Sequence, residues 1–305
     1  MSGKGTALSG PFQRWPELIL SVHGDDDEML GYAVVDRVGH DLSWGGRTIG
    51  ARLPVEDVCA WARAATLQLK LFELPGGTHH SHVVVPPGVG APERARIERS
   101  FDERVRELVG GALLEPAFCS EKERITPEGA EAVAVSVAAR MALAALDEVG
   151  LDCAVASCAC DGGRPAELVA ATLGRHGARA LPRRYAATAD VLLVANATWS
   201  PTGDEVARLR AAVVIALVPL RLTTAAEAAL HRRGILVVPD TLAGGGRLLG
   251  PYLRRQGLSG ETAAERAVAM AVDRFETLQK SARSRDEPLT RSVRDRVNDL
   301  VPTSA

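Results

Sequence analysis

The sequence predicts an α/β protein of two domains, the second of them built on a parallel β-sheet. Strands that are apolar along their whole length are buried on both faces, which is typical of a parallel sheet covered by helices. Five such runs alternate with helical segments and span residues 153–159, 178–181, 190–196, 212–218 and 234–240. The first half of the chain lacks this alternation, and 305 residues suffice for about two hydrophobic cores.

The first half is predicted to contain a hairpin, a third strand and three amphipathic helices. Residues 17–24 and 30–38 have the pattern of strands, and the Gly/Asp-rich residues between them favour a turn. The other elements are helices over residues 53–74, 92–111 and 126–150 and an apolar strand over residues 82–87.

The second half is predicted to fold into a doubly wound sheet. The helices between its apolar runs span residues 164–177, 202–210 and 223–233. Two further amphipathic helices, broken near Pro288, follow these elements. A sheet wound in this way is typical of nucleotide-binding domains.

Composition excludes several classes of partner. The formal net charge is −2, so the chain has no basic surplus for nucleic acid or for an anionic membrane. No apolar run reaches the roughly 18 residues that span a bilayer. The five cysteines are odd in number, and residues 1–17 contain no apolar secretory segment. Reduced thiols and a cytoplasmic location are therefore expected.

Three segments resemble the motifs of one enzyme family. Residues 43–77 resemble its Gly-Gly-Thr-Arg turn, the helix that follows, and its Leu-Pro-x-Gly-Gly-Gly-Lys segment. Residues 189–218 resemble its Cys-Asp-(Ile/Val) run, and residues 230–250 its Arg-Gly-Ile…Pro-Asp…Asn-Ala-Gly-Gly segment. The chain thus resembles, along nearly its whole length, the Glu/Leu/Phe/Val dehydrogenase superfamily, and most closely its leucine and phenylalanine branch.

The resemblance implies a domain plan and an activity. It implies an arm over residues 1–16, a substrate-binding and oligomerisation domain over 17–125, and a Rossmann-like domain over 126–260. Helices over 261–305 would pack back on the cleft between the domains or on the N-terminal domain. The family's reaction is the NAD(P)-dependent oxidative deamination of an amino acid to a 2-oxo acid. A small amino-acid-like or 2-oxo-acid-like ligand is expected, in a homo-oligomer (a dimer or larger) or in a heteromer with an active paralogue.

The residues that carry the family's substrate chemistry are replaced here. The lysine that holds the substrate carboxylate falls on Gln68, and a neutral amide cannot replace an ammonium group as a charge partner. The catalytic lysine falls at or beside His80. The catalytic aspartate falls on Phe118 or Cys119, with Glu115 a few residues upstream. The asparagine of the Asn-Ala-Gly-Gly segment is absent too.

The cofactor motif is also altered. The three glycine positions of the dinucleotide fingerprint fall on Ser157, Ala159 and Gly162, so that only the last glycine remains. Asp161 adds a negative charge beside the expected phosphate. The acidic residue that should bind the ribose is replaced by arginines at 183–184. These changes predict that no NAD(P) is bound.

The histidines of "THHSH" are the most unusual remaining residues. On a strand, His80 and His82 would share one face and His79 would lie on the other. His80 and His82 are candidates for acid/base chemistry, with Cys119 and Glu115, because histidine titrates near neutral pH. A zinc or copper site with Cys119 is an alternative. Solvated histidines without chemistry are another, and because no four-ligand spacing is present, no metal is predicted.

Two other segments leave alternatives open. Gly45, Gly46 and Arg47 either keep a backbone turn or place Arg47 as the partner of an anionic substrate. Cys158 and Cys160 form a Cys-x-Cys pair that is either a redox or metal pair or two small buried residues of a strand.

The sequence therefore predicts a dehydrogenase-like protein that has lost standard NAD-dependent deamination. It would be a non-catalytic or regulatory homologue, or an enzyme repurposed for other chemistry on an amino-acid-like substrate in a biosynthetic pathway. The alternative is a divergent NAD(P)-dependent amino-acid dehydrogenase in which His80 replaces the catalytic lysine.

Overall fold

The computed structural model describes residues 16–37, 43–109, 127–196, 199–219 and 222–299. The chain divides into two compact units, each with its own sheet. The first unit holds residues 1–66 and 75–122, and the second holds residues 67–74 and 123–305. Residues 67–74 lie at the end of the first long helix, so a single boundary near residue 125 does not describe the division.

In the residues that the structure describes, the first unit is a four-stranded sheet with two helices. Its elements are β1 (Leu18–His23), β2 (Met29–Arg37), β3 (Ser43–Gly50), α1 (Val55–Leu71), β4 (Gly77–Val84) and α2 (Ala91–Val109). The strand order is β1-β2-β4-β3. β1 and β4 pair antiparallel with β2, whereas β3 pairs parallel with β4. The predicted hairpin is confirmed.

Helices cover this sheet on both faces. On one face Val22, Ala33 and Val83 pack with Ile97 and Phe101 of α2. On the other face Tyr32 and Val34 pack with Val58 and Ala62 of α1. Alternate residues of β2 therefore enter different cores, as the two-residue period of a strand requires.

Two segments of this unit fold differently from the prediction. The strand expected at residues 82–87 occupies Gly77–Val84 and thus contains the whole "THHSH" stretch. Residues 43–50, expected to keep a turn, form β3. The first of these segments is rich in histidine and the second in glycine, so the apolar pattern that reveals a strand is missing. The polar groups of these two strands instead form hydrogen bonds with neighbouring elements.

The second unit is a parallel sheet with helices on both faces. Its strands are β5 (Ser157–Asp161), β6 (Arg179–Leu181), β7 (Val191–Val194), β8 (Val213–Ala216) and β9 (Leu236–Val238), in the order β6-β5-β7-β8-β9. Its helices are α3 (Pro127–Glu148), α4 (Arg164–Arg175), α5 (Gly203–Arg208), α6 (Thr224–Arg232), α7 (Asp240–Ala243), α8 (Gly246–Arg255), α9 (Gly260–Arg285) and α10 (Leu289–Asp299), with a 3₁₀ helix over Arg183–Thr188. The predicted doubly wound α/β class is confirmed.

Alternation along β7 shows how both faces are buried. Val191 and Leu193 enter one core, whereas Leu192 and Val194 enter the other. The larger core also takes in Leu71 and Phe72 from the end of α1 and the apolar faces of α9 and α10. The C-terminal helices are therefore part of this unit's core.

Close helix packing in this unit depends on glycine. A Cβ atom on Gly246 would lie 2.8 Å from the Cα atom of Ala134, and one on Gly250 would lie 3.0 Å from Cγ1 of Val133. These contacts set the distance between α8 and α3.

Within the described ranges, none of the helices combines the length and hydrophobicity that a transmembrane span requires.

Candidate functional site

The three histidines of β4 are buried inside the first unit. His79, His80 and His82 are 8%, 7% and 2% exposed. Thr48 of β3 contacts both His80 and His82, so these two share the face covered by α1. His79 lies on the other face. As predicted, His80 and His82 share one face of the strand and His79 lies on the other. All three, however, lie in the buried interior of β4.

His80 and His82 belong to one hydrogen-bonded chain. Nε2 of His82 lies 2.9 Å from the carbonyl oxygen of Ala51, and Nδ1 of His82 lies 2.9 Å from Oγ1 of Thr48. The same Thr48 oxygen lies 3.4 Å from Nε2 of His80. The His80 ring stacks on Trp61 of α1, with centroids 5.7 Å apart. Burial lowers the pKa of His82, although its bond to Ala51 opposes this effect.

His79 is a neutral histidine at physiological pH. Burial lowers its pKa to about 4, and the positive charge of Arg47 acts in the same direction. An imidazole that stays neutral in this way can serve as a hydrogen-bonding core residue, and it makes the fold sensitive to acid.

The guanidinium group of Arg47 is engaged within its own unit. It donates to both carboxylate oxygens of Asp102 on α2, and its Nε donates to Oγ of Ser81 at 3.3 Å. It also lies over the ring of Phe101, 5.6 Å from the centroid. Gly45 and Gly46 are residues of β3. Arg47 therefore joins β3 to α2, and the structure gives it a protein carboxylate as its anionic partner.

A buried carboxylate that the sequence reasoning missed lies nearby. The side chain of Asp36 in β2 is 3% exposed and pairs with Arg63 of α1 at 3.2 Å. It also accepts a hydrogen bond from Thr66, which in turn bonds Thr78 of β4. The sequence could have predicted this burial, because Asp36 alternates with Tyr32 and Val34 and therefore shares a face of the strand with them. The cluster ties β2, α1 and β4 together.

Gln68, predicted to contact substrate, makes a structural contact in the second unit. Its Nε2 donates to the backbone carbonyl of Asp240 at 3.0 Å. A Cβ atom on Gly244 would lie 2.6 Å from that carbonyl oxygen and 2.9 Å from Gln68 Nε2, and one on Gly245 would lie 2.5 Å from the Phe72 ring. These glycines are therefore required by packing around the end of α1.

Asp240 is the second residue that the sequence reasoning missed. Burial raises the pKa of its carboxyl group to about 6, against the opposing effects of its own amide, Arg247 and the Thr241 amide. It follows β9 directly and lies at the carboxyl edge of the sheet, where α/β folds commonly bind ligands. An acidic residue in "VVPD", at the end of the last apolar run, was the available signal.

Part of the segment that was predicted to form the phosphate-binding loop lies within a strand. Ser157 and Ala159 lie inside β5, and the Ser157 hydroxyl donates to Asp190 at 2.6 Å. Only Gly162 and Gly163 separate β5 from α4. Gly162 has a φ of +109°, and a Cβ atom there would lie 2.7 Å from the backbone of Ala195. Its conformation therefore serves close packing on the end of β7.

Charged side chains surround this turn. Asp161 at the end of β5 pairs with Arg183 at 2.7 Å, and Arg164 pairs with Glu131 at 3.2 Å. Pro165 occupies the first turn of α4, and no side chain caps that helix.

The cysteines offer little reactivity in the described residues. Cys158 is 1% exposed, and burial raises the pKa of its thiol to about 12. Burial also raises the pKa of Cys160. Among the residues that the structure describes, no group of three His, Cys, Asp or Glu side chains is placed to hold a metal ion. Cys119 and Glu115 lie outside the described residues.

The two units together define a protein with the fold of the amino-acid dehydrogenases, as the sequence resemblance implied. Glutamate dehydrogenase from Thermus thermophilus, a hetero-hexamer in its leucine-bound form, is 20% identical with a TM-score of 0.69, over 95% of this chain and 90% of that one. L-tryptophan dehydrogenase from Nostoc punctiforme is 16% identical with a TM-score of 0.62, over 94% and 97%. Glutamate dehydrogenase from Peptoniphilus asaccharolyticus is 15% identical with a TM-score of 0.67, over 93% and 90%. No family model and no curated protein matches the chain.

Proposed function

We propose that this protein has lost NAD-dependent oxidative deamination and acts in the cytoplasm as a non-catalytic, regulatory subunit. The connection between β5 and α4 carries the proposal. A dinucleotide pyrophosphate needs free backbone amides and glycines that allow close approach. Here Asp161 places a carboxylate at the strand end, Pro165 removes an amide from the first turn, and Gly162 is committed to packing on β7.

The substrate side supports the same proposal. A lysine at position 68 would offer an ammonium group to a substrate carboxylate, whereas Gln68 donates to the backbone of Asp240. Arg47, the other expected anion partner, is paired with Asp102. The two residues of this chain that were expected on the substrate side, Gln68 and Arg47, thus both make contacts within the fold.

A partner of the same fold suits such a subunit. The similar Thermus thermophilus protein is a hetero-hexameric glutamate dehydrogenase solved with leucine. We therefore propose that this chain assembles with an active paralogue, or with itself, and that it binds an amino-acid-like or 2-oxo-acid-like ligand through residues other than Gln68 and Arg47.

Titration calorimetry of the full chain with NADH and with NADPH is expected to give no saturable heat. Assays with each standard amino acid and NAD or NADP are expected to give no turnover. An active leucine dehydrogenase under the same conditions is the positive control. Saturable dinucleotide binding together with turnover at ordinary enzymic rates would overturn the proposal and support the divergent dehydrogenase with His80 in place of lysine.

A second candidate is an enzyme repurposed for proton-transfer chemistry on an amino-acid-like ligand. The ordered contacts of His80 with Thr48 and Trp61 favour it, because a catalytic imidazole must be held in one orientation. For any amino acid or 2-oxo acid that the chain converts, His80→Gln is expected to lower kcat roughly 100-fold or more. His176→Gln, at an exposed position, should leave it unchanged. Full activity in His80→Gln would exclude the role.

A further inference from the structure

The donor and the acceptor can be assigned in each contact of the hydrogen-bonded chain from Ala51 to His80. Thr48 pairs with His82, and Gly46 pairs with His80, in the parallel register of β3 and β4. This register places the Thr48 hydroxyl against both imidazoles, 2.9 Å from Nδ1 of His82 and 3.4 Å from Nε2 of His80. A hydroxyl has a single proton to donate, so it cannot donate to both rings at once.

The carbonyl of Ala51 determines the proton on His82. A carbonyl oxygen only accepts, so Nε2 of His82, 2.9 Å away, must carry a hydrogen. The opposite neutral tautomer would set two lone pairs against each other. The doubly protonated ring is disfavoured, since burial lowers the pKa of His82. His82 is therefore neutral, and its Nδ1 is an acceptor.

The remaining protons follow in order. Because Nδ1 of His82 accepts, the Thr48 hydroxyl donates to it. The Thr48 oxygen then has only lone pairs for His80, and Nε2 of His80 must be the donor in that contact.

We propose that Thr48 and His82 are positioning residues that keep a hydrogen on Nε2 of His80. A Cβ atom at position 46 would lie 3.3 Å from both Nδ1 and Cε1 of His80, so Gly46 keeps β3 from crowding this edge of the ring. Any catalytic use of His80 rests on the second candidate function, whereas the position of this hydrogen does not.

Long-range ¹H–¹⁵N correlation spectra of the full chain, labelled at histidine, distinguish a protonated from an unprotonated ring nitrogen. His80→Gln and His82→Gln assign the two rings. We expect Nε2 of both rings to carry a hydrogen at neutral pH. Thr48→Val keeps the shape and removes the hydroxyl, and is expected to change the His80 tautomer ratio roughly tenfold, the equilibrium equivalent of one hydrogen bond.

Two further variants complete the test. Thr48→Ser restores a hydroxyl and should restore the wild-type ratio, whereas Thr172→Val, at a hydroxyl in α4, should leave both histidines unchanged. A wild-type His80 without a hydrogen on Nε2, or an unchanged ratio in Thr48→Val, would overturn the proposal. Because no ligand is added, either failure leaves the proposed function untouched, and dinucleotide turnover would not alter the tautomer.

Discussion

Replacing Gly31 by alanine is expected to destabilise the first unit by on the order of 4 kcal/mol, from overpacking and backbone strain together. Gly31 lies in β2 opposite β4 and has a φ of +150°. A Cβ atom there would lie 2.0 Å from the backbone carbonyl oxygen of His82 and 2.9 Å from the Phe101 ring. The carbonyl belongs to a paired central strand and cannot move without breaking the ladder.

Urea unfolding of wild type and Gly31→Ala, with hydrogen exchange followed in peptides from β2 and β4, measures this effect. Gly50→Ala is the matched control, because Gly50 is also a strand glycine of this sheet and a Cβ atom there would meet nothing within 4 Å. Its unfolding free energy should remain close to that of wild type. Equal stability of the Gly31→Ala and Gly50→Ala proteins would contradict the close approach of β2 to β4.

Acidification is expected to destabilise the first unit through His79. Its folded pKa of about 4 lies below the ordinary value of 6.5, because burial and Arg47 disfavour the charged ring. Above pH 6.5 the ring is neutral in both states, and its contribution is fully present. As the pH falls toward 4 the unfolded chain gains the proton first, so roughly 3 kcal/mol of stability is lost.

The measurement is the unfolding free energy of the first unit between pH 7 and pH 4.5, in wild type and in His79→Gln. The variant is expected to lose stability at pH 7 but to show a shallower decline with acid. Asp240, whose pKa is raised by burial, changes stability with pH in the opposite direction, but it does so in both proteins. The difference between the two curves therefore isolates His79. His176→Gln, at an exposed position, should keep the wild-type slope. Parallel curves for wild type and His79→Gln would rule out the buried neutral ring.

The second unit was the easier part to predict from sequence. β7 and β8 lie within the apolar runs at 190–196 and 212–218, because each strand is buried on both faces and carries no polar residue. Thr223 caps α6, and Thr202 caps α5 in a capping box with Glu205. These local signals fix where elements begin without any knowledge of their neighbours.

β5 was harder because its composition is ambiguous. The run at 153–159 was expected as the strand, but β5 occupies Ser157–Asp161, and Val155 in the preceding turn is 74% exposed. Alanine and cysteine fit a strand and a turn almost equally well. The shift of the strand moved Ser157 and Ala159 from the expected loop into the sheet, so the cofactor motif could not be placed correctly from sequence.

The sequence by itself determined that the chain folds as a two-domain α/β protein, and it predicted that the family's lysines, its aspartate and two of the three fingerprint glycines are replaced. Only the tertiary structure decided what the replacements do. Gln68 bonds Asp240, 172 positions away, and His82 bonds Ala51, 31 positions away. The reason is physical: residue identity and local periodicity are properties of neighbouring positions, whereas hydrogen-bond partners depend on strand register and helix packing between segments that are distant in the chain.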